Sequence, residues 1–289
     1  MEVRVDPPAF MELGRQIMGF PRPVRRETEL KRFRAHFGTT DIRCTIIWRM
    51  LRANADSVQV IGRGPRPQHL LWALLWLKTY DTESILCGKV GCDETTYRKW
   101  IWRFVEAIAI VLPSVIKLSR RLLNGGQGHT HLMSVDGTDC QINQPTQFWR
   151  GWYSHKFKKA GLRYEVAVAL RRSEIVWING PFPCGRYPDI TIYRNGLKNH
   201  LQNGERVMAD KGYRGDPTCN VPNDTDPANL RRLKKRIGSR HESVNSRLKA
   251  FRCLDSKFRH DIDKHRLVFR AVAVVTQVNI TQGDSLWDI

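Results

Sequence analysis

Three carboxylates stand out by where the chain puts them. Asp136 ends the apolar run "LMSV" and is followed by Gly137; Asp210 ends "RVMA" and is followed by Lys211, Gly212 and Tyr213. An Asp before a Gly-bearing turn is ordinary turn chemistry, because its side chain bonds the local backbone. An Asp at the end of a rigid strand is also how a protein aims a ligand at a fixed point. Glu242 is the third. In residues 227–260, a stretch dense in Lys and Arg, Glu242 and Asp255 are the only acids. On a helix Glu242, Asn245 and Lys249 share one face, while Val244, Leu248 and Phe251 share another. Three oxygen donors from two strand ends and a helix suit Mg²⁺, a hard cation that prefers carboxylates, water and phosphate oxygens. Two such ions about 4 Å apart support in-line phosphodiester cleavage. Asp139 lies three residues on from Asp136 and points to the other strand face. Asp189 reads as the cap of the helix it begins, Asp216 as a turn residue, and His241 as packed or solvated.

These acids need elements to hold them. After residue 131 the pattern has strand period: strands are expected at 131–142, 163–170, 174–180 and at "RVMAD". A capped helix is expected over 189–202, a largely helical basic segment broken at Gly238, and a last apolar helix over about 263–280. Three hairpin-connected strands, then a helical crossover into a fourth, make a mixed α/β sheet flanked by helices. The N-terminal part, 1–125, reads as helical. Its segment "PRPQHLLWALLWLKTYD" is apolar on most sides and therefore buried. Further on, Asp81 or Thr82 can cap a short helix to Cys87, and Asp93 or Thr95 a longer one to about Leu112. Short helix, Gly-bearing turn, longer helix is the helix-turn-helix pattern. It stacks Tyr97, Ile101, Phe104 and Ile108 and offers Arg98 and Lys99 to a partner. "NGGQGHTH", 124–131, is the expected domain boundary, with the second domain running over 131–289.

The 289 residues carry a formal net charge of +20 and a pI of about 10.1. Such an excess repels itself unless a polyanion absorbs it, and nucleic acid is the natural partner. A membrane is not: no stretch approaches about 20 uninterrupted apolar residues, and "MEVRVDPPAF" has no signal-peptide core. Seven scattered cysteines with no CxxC argue for a reduced compartment and against a disulfide framework. Cys87 and Cys92 with His129 and His131 have poor spacing for zinc. The aromatic and basic run "WRGWYSHKFKKAGLR", 149–163, reads equally as a hairpin tip or a stacking platform for bases.

Three blocks, "SVDGTDCQI", "MADKGYRG" and "RHESVNSRLKAF", in that order, resemble those of DDE transposases, closest to the PIF/Harbinger type and its bacterial insertion-sequence relatives. "GRYPDITIYRNGL" resembles that group's stretch between the first and second acids. The resemblance implies an RNase H-like fold and a nuclear DNA transposase and endonuclease. It also implies two Mg²⁺ or Mn²⁺ ions, hydrolysis at transposon ends, and strand transfer by the freed 3′-OH. On this reading Asp136 bridges both ions, while Asp210 and Glu242 hold one each. Lys249 matches a basic residue seven after the Glu. The relatives' Arg four before the Glu is replaced by Gly238, leaving Arg236 and Arg240 as neighbouring candidates; Lys211 would join them on DNA. Partners would be terminal-repeat and target DNA, a second copy of the chain, and a separate DNA-binding protein. The alternative is a domesticated copy that binds DNA without cutting it.

Overall fold

The computed structural model describes residues 5–123, 130–147 and 149–289. The chain divides into two compact units. One comprises the chain through Val115 together with Leu248–Asp255 and Asp263–Gln282; the other comprises Ile116–Arg247, Ser256–Ile262 and Gly283–Ile289. The sequence had suggested one continuous second domain over 131–289. The second unit instead begins at Ile116 and cedes Leu248–Asp255 and Asp263–Gln282 to the helical unit. The last helix is buried along most of its length and finds its cover in the helical unit, where Asn279 donates to the Gly38 carbonyl and Arg270 to that of Ala109. Of the break at 124–131, residues 124–129 lie outside those described, as does His129 of the four-residue zinc set.

The helical unit holds α1 (Pro7–Met18), α2 (Arg26–Phe37), α3 (Asp41–Ala53), α4 (Ala55–Ile61), α5 (Pro67–Thr79), α6 (Glu83–Val90), α7 (Glu94–Ile110) and α8 (Leu112–Val115). α5 is its centre: Leu70 through Leu77 are all buried, as their unbroken apolarity requires. Asp93 caps α7, its Oδ1 accepting from Thr96 N at 2.9 Å. Tyr97, Ile101, Phe104 and Ile108 form the buried stripe of α7. Gly91, in the left-handed region at φ 69°, ends α6, and two further residues lead into α7.

The second unit is built on a six-stranded mixed sheet. Its strands are β1 (His131–Gln141), β2 (Tyr153–Ser154), β3 (Lys159–Ala169), β4 (Ile175–Pro183), β5 (Arg206–Ala209) and β6 (Cys219–Asn220). β3 is antiparallel to β1, β2 and β4, while β5 is parallel to β1 and β6 to β5. The three-strand meander and the crossover into a parallel strand are those the sequence pattern predicts; the two-residue strands β2 and β6 are too short to leave one. Between β4 and β5 the chain forms α9 (Asp189–Asn195) and a 3-10 turn, Leu197–His200.

Strand alternation sorts β1 between two faces. Met133 and Val135 enter a core with Tyr193, Leu197, Val207 and Tyr213. Ser134 and Asp136 meet the opposite helix, α10 (Ala228–Lys249). That helix is continuous over 22 residues, so the break expected at Gly238 does not occur. A helical Gly costs about 1 kcal/mol against Ala, which the packing of Ile237, Val244 and Leu248 outweighs. A one-turn helix, α11 (Arg252–Asp255), and the 20-residue α12 (Ile262–Thr281) follow in the chain.

Arg240 corrects another expectation. It is 1% exposed, donating from Nη1 to the Ala169 carbonyl at 2.6 Å and from Nη2 to that of Arg172 at 2.7 Å. Its guanidinium fastens α10 to the end of β3 and is not free to meet DNA. Arg240→Ala should therefore cost about 2–4 kcal/mol, since two buried carbonyls lose a charged donor. Arg236→Ala, at an exposed position, should change stability by no more than about 0.5 kcal/mol. Thermal or urea melts of the two variants check this difference.

Candidate active site

The parallel register pairs Val135 with Ala209. Asp136, inside β1, and Asp210, just past the end of β5, each follow a paired position, so they stand side by side on adjacent strands, whose spacing is about 4.8 Å. Asp136 Oδ1 accepts from Gly137 N at 2.8 Å, and Oδ2 accepts from Asn245 Nδ2 at 3.2 Å. Burial first, then the negative charge of Asp210, pushes the Asp136 carboxyl up to about 7. Asp210 is exposed, and its Oδ1 accepts from Gly212 N at 2.8 Å. The turn bond and the placement beside Asp136 are thus two properties of one side chain.

Gly137 and Gly212 are not in the left-handed region; space is what both positions demand. A Cβ on Gly137 would collide with Asp189 Oδ1. One on Gly212 would lie 3.0 Å from Asp210 Oδ1 and 3.1 Å from Asp189 Oδ2. Asp189 therefore packs against the backbone next to both acids, in β1 at Gly137 and in the turn at Gly212. It makes no cap bond for α9, contrary to the local reading. Its Oδ1 lies 3.3 Å from Arg163 Nη1, and burial pushes its carboxyl up against the pull of that guanidinium. Arg163 also donates to Asp139, at 2.7 Å from Nε, and Ser154 Oγ donates to the same carboxylate. Although burial opposes it, these bonds hold Asp139 below the usual carboxylate range. Asp139 is spent on this structural network, on the face its strand position predicts.

α10 brings the third acid. Ser134 Oγ lies 3.0 Å from His241 Nδ1, and burial keeps that imidazole neutral, pushed down to about 3. With Arg240 on the Ala169 carbonyl and Asn245 on Asp136, residues 240, 241 and 245 fasten one segment of α10 to the sheet. Glu242 rides on that segment, exposed, and joins Asp136, Asp210, Ser134, Gly238 and His241 in lining a cavity of about 190 Å³. Among the described residues, no three His, Cys, Asp or Glu side chains converge tightly enough to ligate one ion as they stand. The donor set nonetheless fits a divalent cation. Two adjacent carboxylates repel, the half-buried one has a raised pKa that the charge of Lys156 offsets only in part, and a third acid faces the same space. A cation between them balances this charge.

The other expected contacts scatter. Lys211 is exposed beside Asp210. Arg236 is exposed and donates to the Asp288 carbonyl at 2.6 Å. Lys249 closes α10, half-buried, and does not line the cavity. In the helical unit, Arg98 and Lys99 are exposed on α7, and Arg98 Nε donates to Glu83 Oε2 on α6 at 2.9 Å. Asn245 and Arg163 were not singled out as site residues from sequence, and for Asp189 the cap reading came before a site role. The shared helix face of Glu242 and Asn245 was the signal available for the first of them.

Residues 135–277 match the family model of the DDE superfamily endonuclease. The match spans just under half of the chain, opens one residue before Asp136, and contains Asp210, Glu242 and their anchors. Neither the curated proteins nor the solved structures compared with the chain give a match. What this DDE endonuclease-like region is similar to is therefore a nuclease, of a transposase-like family. No helix among the described residues is long and apolar enough to cross a membrane.

The raised Asp136 pKa sets a sign for the metal-free protein. A folded value of about 7 lies above the unfolded one of about 3.9. The group's contribution is fully present below about pH 4 and is lost as pH rises through about 7. Asp136→Asn should raise stability at pH 8 in a chelator by about 1–2 kcal/mol, and this advantage should vanish by about pH 4. Melting curves of both proteins across that range are the check.

Proposed function

We propose that the chain is a divalent-metal-dependent DNA endonuclease and transposase of the PIF/Harbinger type. It would hydrolyse a phosphodiester at transposon ends and direct the freed 3′-OH onto target DNA. The observation that carries this reading is the adjacency of Asp136 and Asp210 on parallel strands, with Glu242 facing the same cavity inside a DDE endonuclease match. The antiparallel meander β1–β3–β4, extended by β5 and β6 parallel to β1, supports an RNase H-like fold. The α6–α7 pair, joined through Gly91, supports a helix-turn-helix role for the N-terminal unit.

Asp136, Asp210 and Glu242 are the residues that would hold two Mg²⁺ or Mn²⁺ ions. Bound there, such ions supply Lewis acidity and a water of lowered pKa. The chain's own part is to place charge. Asn245 orients Asp136, the turn amide of Gly212 orients Asp210, and the anchoring of α10 limits where Glu242 can reach. Lys211, Arg236 and Lys249 would hold phosphates near the acids, and Arg98 and Lys99 would contact duplex DNA from α7. Glu242 has to turn inward for all three acids to share ions, because it is exposed as it stands. No covalent enzyme intermediate is required. A nuclear location, action as at least a dimer, and a separate DNA-binding partner protein follow from the same resemblance. The exposure of Glu242 favours a second reading, a domesticated chain that retains DNA and cuts none.

Supercoiled plasmid incubated with Mn²⁺ and the full chain separates the two. Nicked and linear products are expected, absent with chelator and with Asp136→Asn, Asp210→Asn or Glu242→Gln. DNA retained on a gel without product would support the non-cutting reading. Cleavage undiminished in Asp210→Asn would show that the acids are wrongly assigned.

A further inference from the structure

The cavity beside the acids is larger than carboxylates and cations need. At about 190 Å³ it exceeds the roughly 150 Å³ that holds benzene in an engineered protein core. Beyond the three acids its walls are largely apolar, with Met208, Ala209, Pro222 and Ile237, and Lys234 is also in the lining. Asn220 and His241 supply polar groups. His241 is 3% exposed, and among the described residues nothing bonds its Nε2. A space with apolar walls and a few convergent polar atoms is suited to a heteroaromatic ring.

Gly238 makes the space available. It lies on α10 four residues before Glu242 and lines the cavity. Its backbone is not left-handed, and a Cβ there would meet no atom within 4 Å. Neither a turn nor a close approach calls for glycine, and a glycine inside a helix weakens it. What its absent side chain leaves is the open cavity.

We propose that this cavity receives one nucleobase of the DNA strand whose phosphate lies at Asp136 and Asp210. The inference rests on the nuclease reading, since it is the phosphate at the acids that brings the base to the cavity mouth. A base beside the cleaved bond would leave the stack and lie between the β1–β5 edge and α10, against Met208 and Ile237. Its edge atoms would face Asn220 and His241. Unstacking is least costly at a mismatched or already single-stranded position. The pocket would therefore favour cleavage next to weakly paired DNA.

The test needs no terminal-repeat sequence. Binding of 2′-deoxyadenosine 5′-monophosphate and of 2-deoxyribose 5-phosphate to the full chain, each with Mn²⁺, is measured by calorimetry or NMR titration. The base should tighten binding about tenfold. Gly238→Leu, which fills the cavity, should erase that increment and leave sugar-phosphate binding intact. Gly238→Ala should keep most of it, and melting curves of both variants establish that they fold. Equal binding of the two ligands to wild type would overturn the base pocket and leave the nuclease reading standing. An increment that survives Gly238→Leu would put the base elsewhere and overturn the pocket as well. Failure of both ligands to bind with Mn²⁺ would overturn the nuclease reading, and the pocket with it.

Discussion

Two like charges held side by side on neighbouring parallel strands, Asp136 inside β1 and Asp210 just past β5, are the constraint on which the rest of the second unit depends. The Val135–Ala209 register gives Asp136 and Asp210 no freedom to part, short of breaking the sheet. In a chain of net charge +20 the cheapest relief for an acidic pair is a salt bridge to Lys or Arg. The fold spends its nearby arginines elsewhere, Arg163 on Asp139 and Asp189, and Arg240 on backbone carbonyls. Asp136 is left with neutral donors and a pKa near 7. A site kept anionic in a cationic protein is energetically poised for a small cation, with surrounding Lys and Arg to tolerate DNA.

The helix that completes the site is positioned by groups that do no chemistry. Arg240, His241 and Asn245 each reach a different point of the sheet, and together they fix the phase of α10 at Glu242. A rotation of one residue, about 100°, would take Glu242 off the cavity. Buried polar groups here act through position, and their hydrogen bonds specify one packing in preference to another. The two glycines next to the acids serve the same end by leaving room for Asp189, whose carboxylate lies against both.

The Asp210 turn, the strand period and the helix phase of Glu242 were readable because they are local signals, whereas Asp136–Gly137, which carries the same signal, lies inside β1. Strand order followed from the short β3–β4 link and the helix-bearing crossover to β5. The misreadings came where a non-local contact outweighed a local one. Asp189 looks like a cap, but its partner Arg163 lies on another element. Gly238 looks like a break until the packing that spans it is seen. Arg240 looks like a phosphate contact in a basic run. Extending the buried stripe Val244, Leu248 back by one helical turn would have placed 240 and 241 inside, so that signal was present. The membership of α12 in the helical unit could not be read, since an apolar helix does not name the surface that covers it.

The central claim is that Asp136, Asp210 and Glu242 form one divalent-metal site. Anomalous diffraction from Mn²⁺-soaked crystals tests it most directly. The account predicts a manganese peak about 2.1 Å from carboxylate oxygens of both Asp136 and Asp210, with Glu242 turned inward. Strong peaks elsewhere and none between the two aspartates would contradict it.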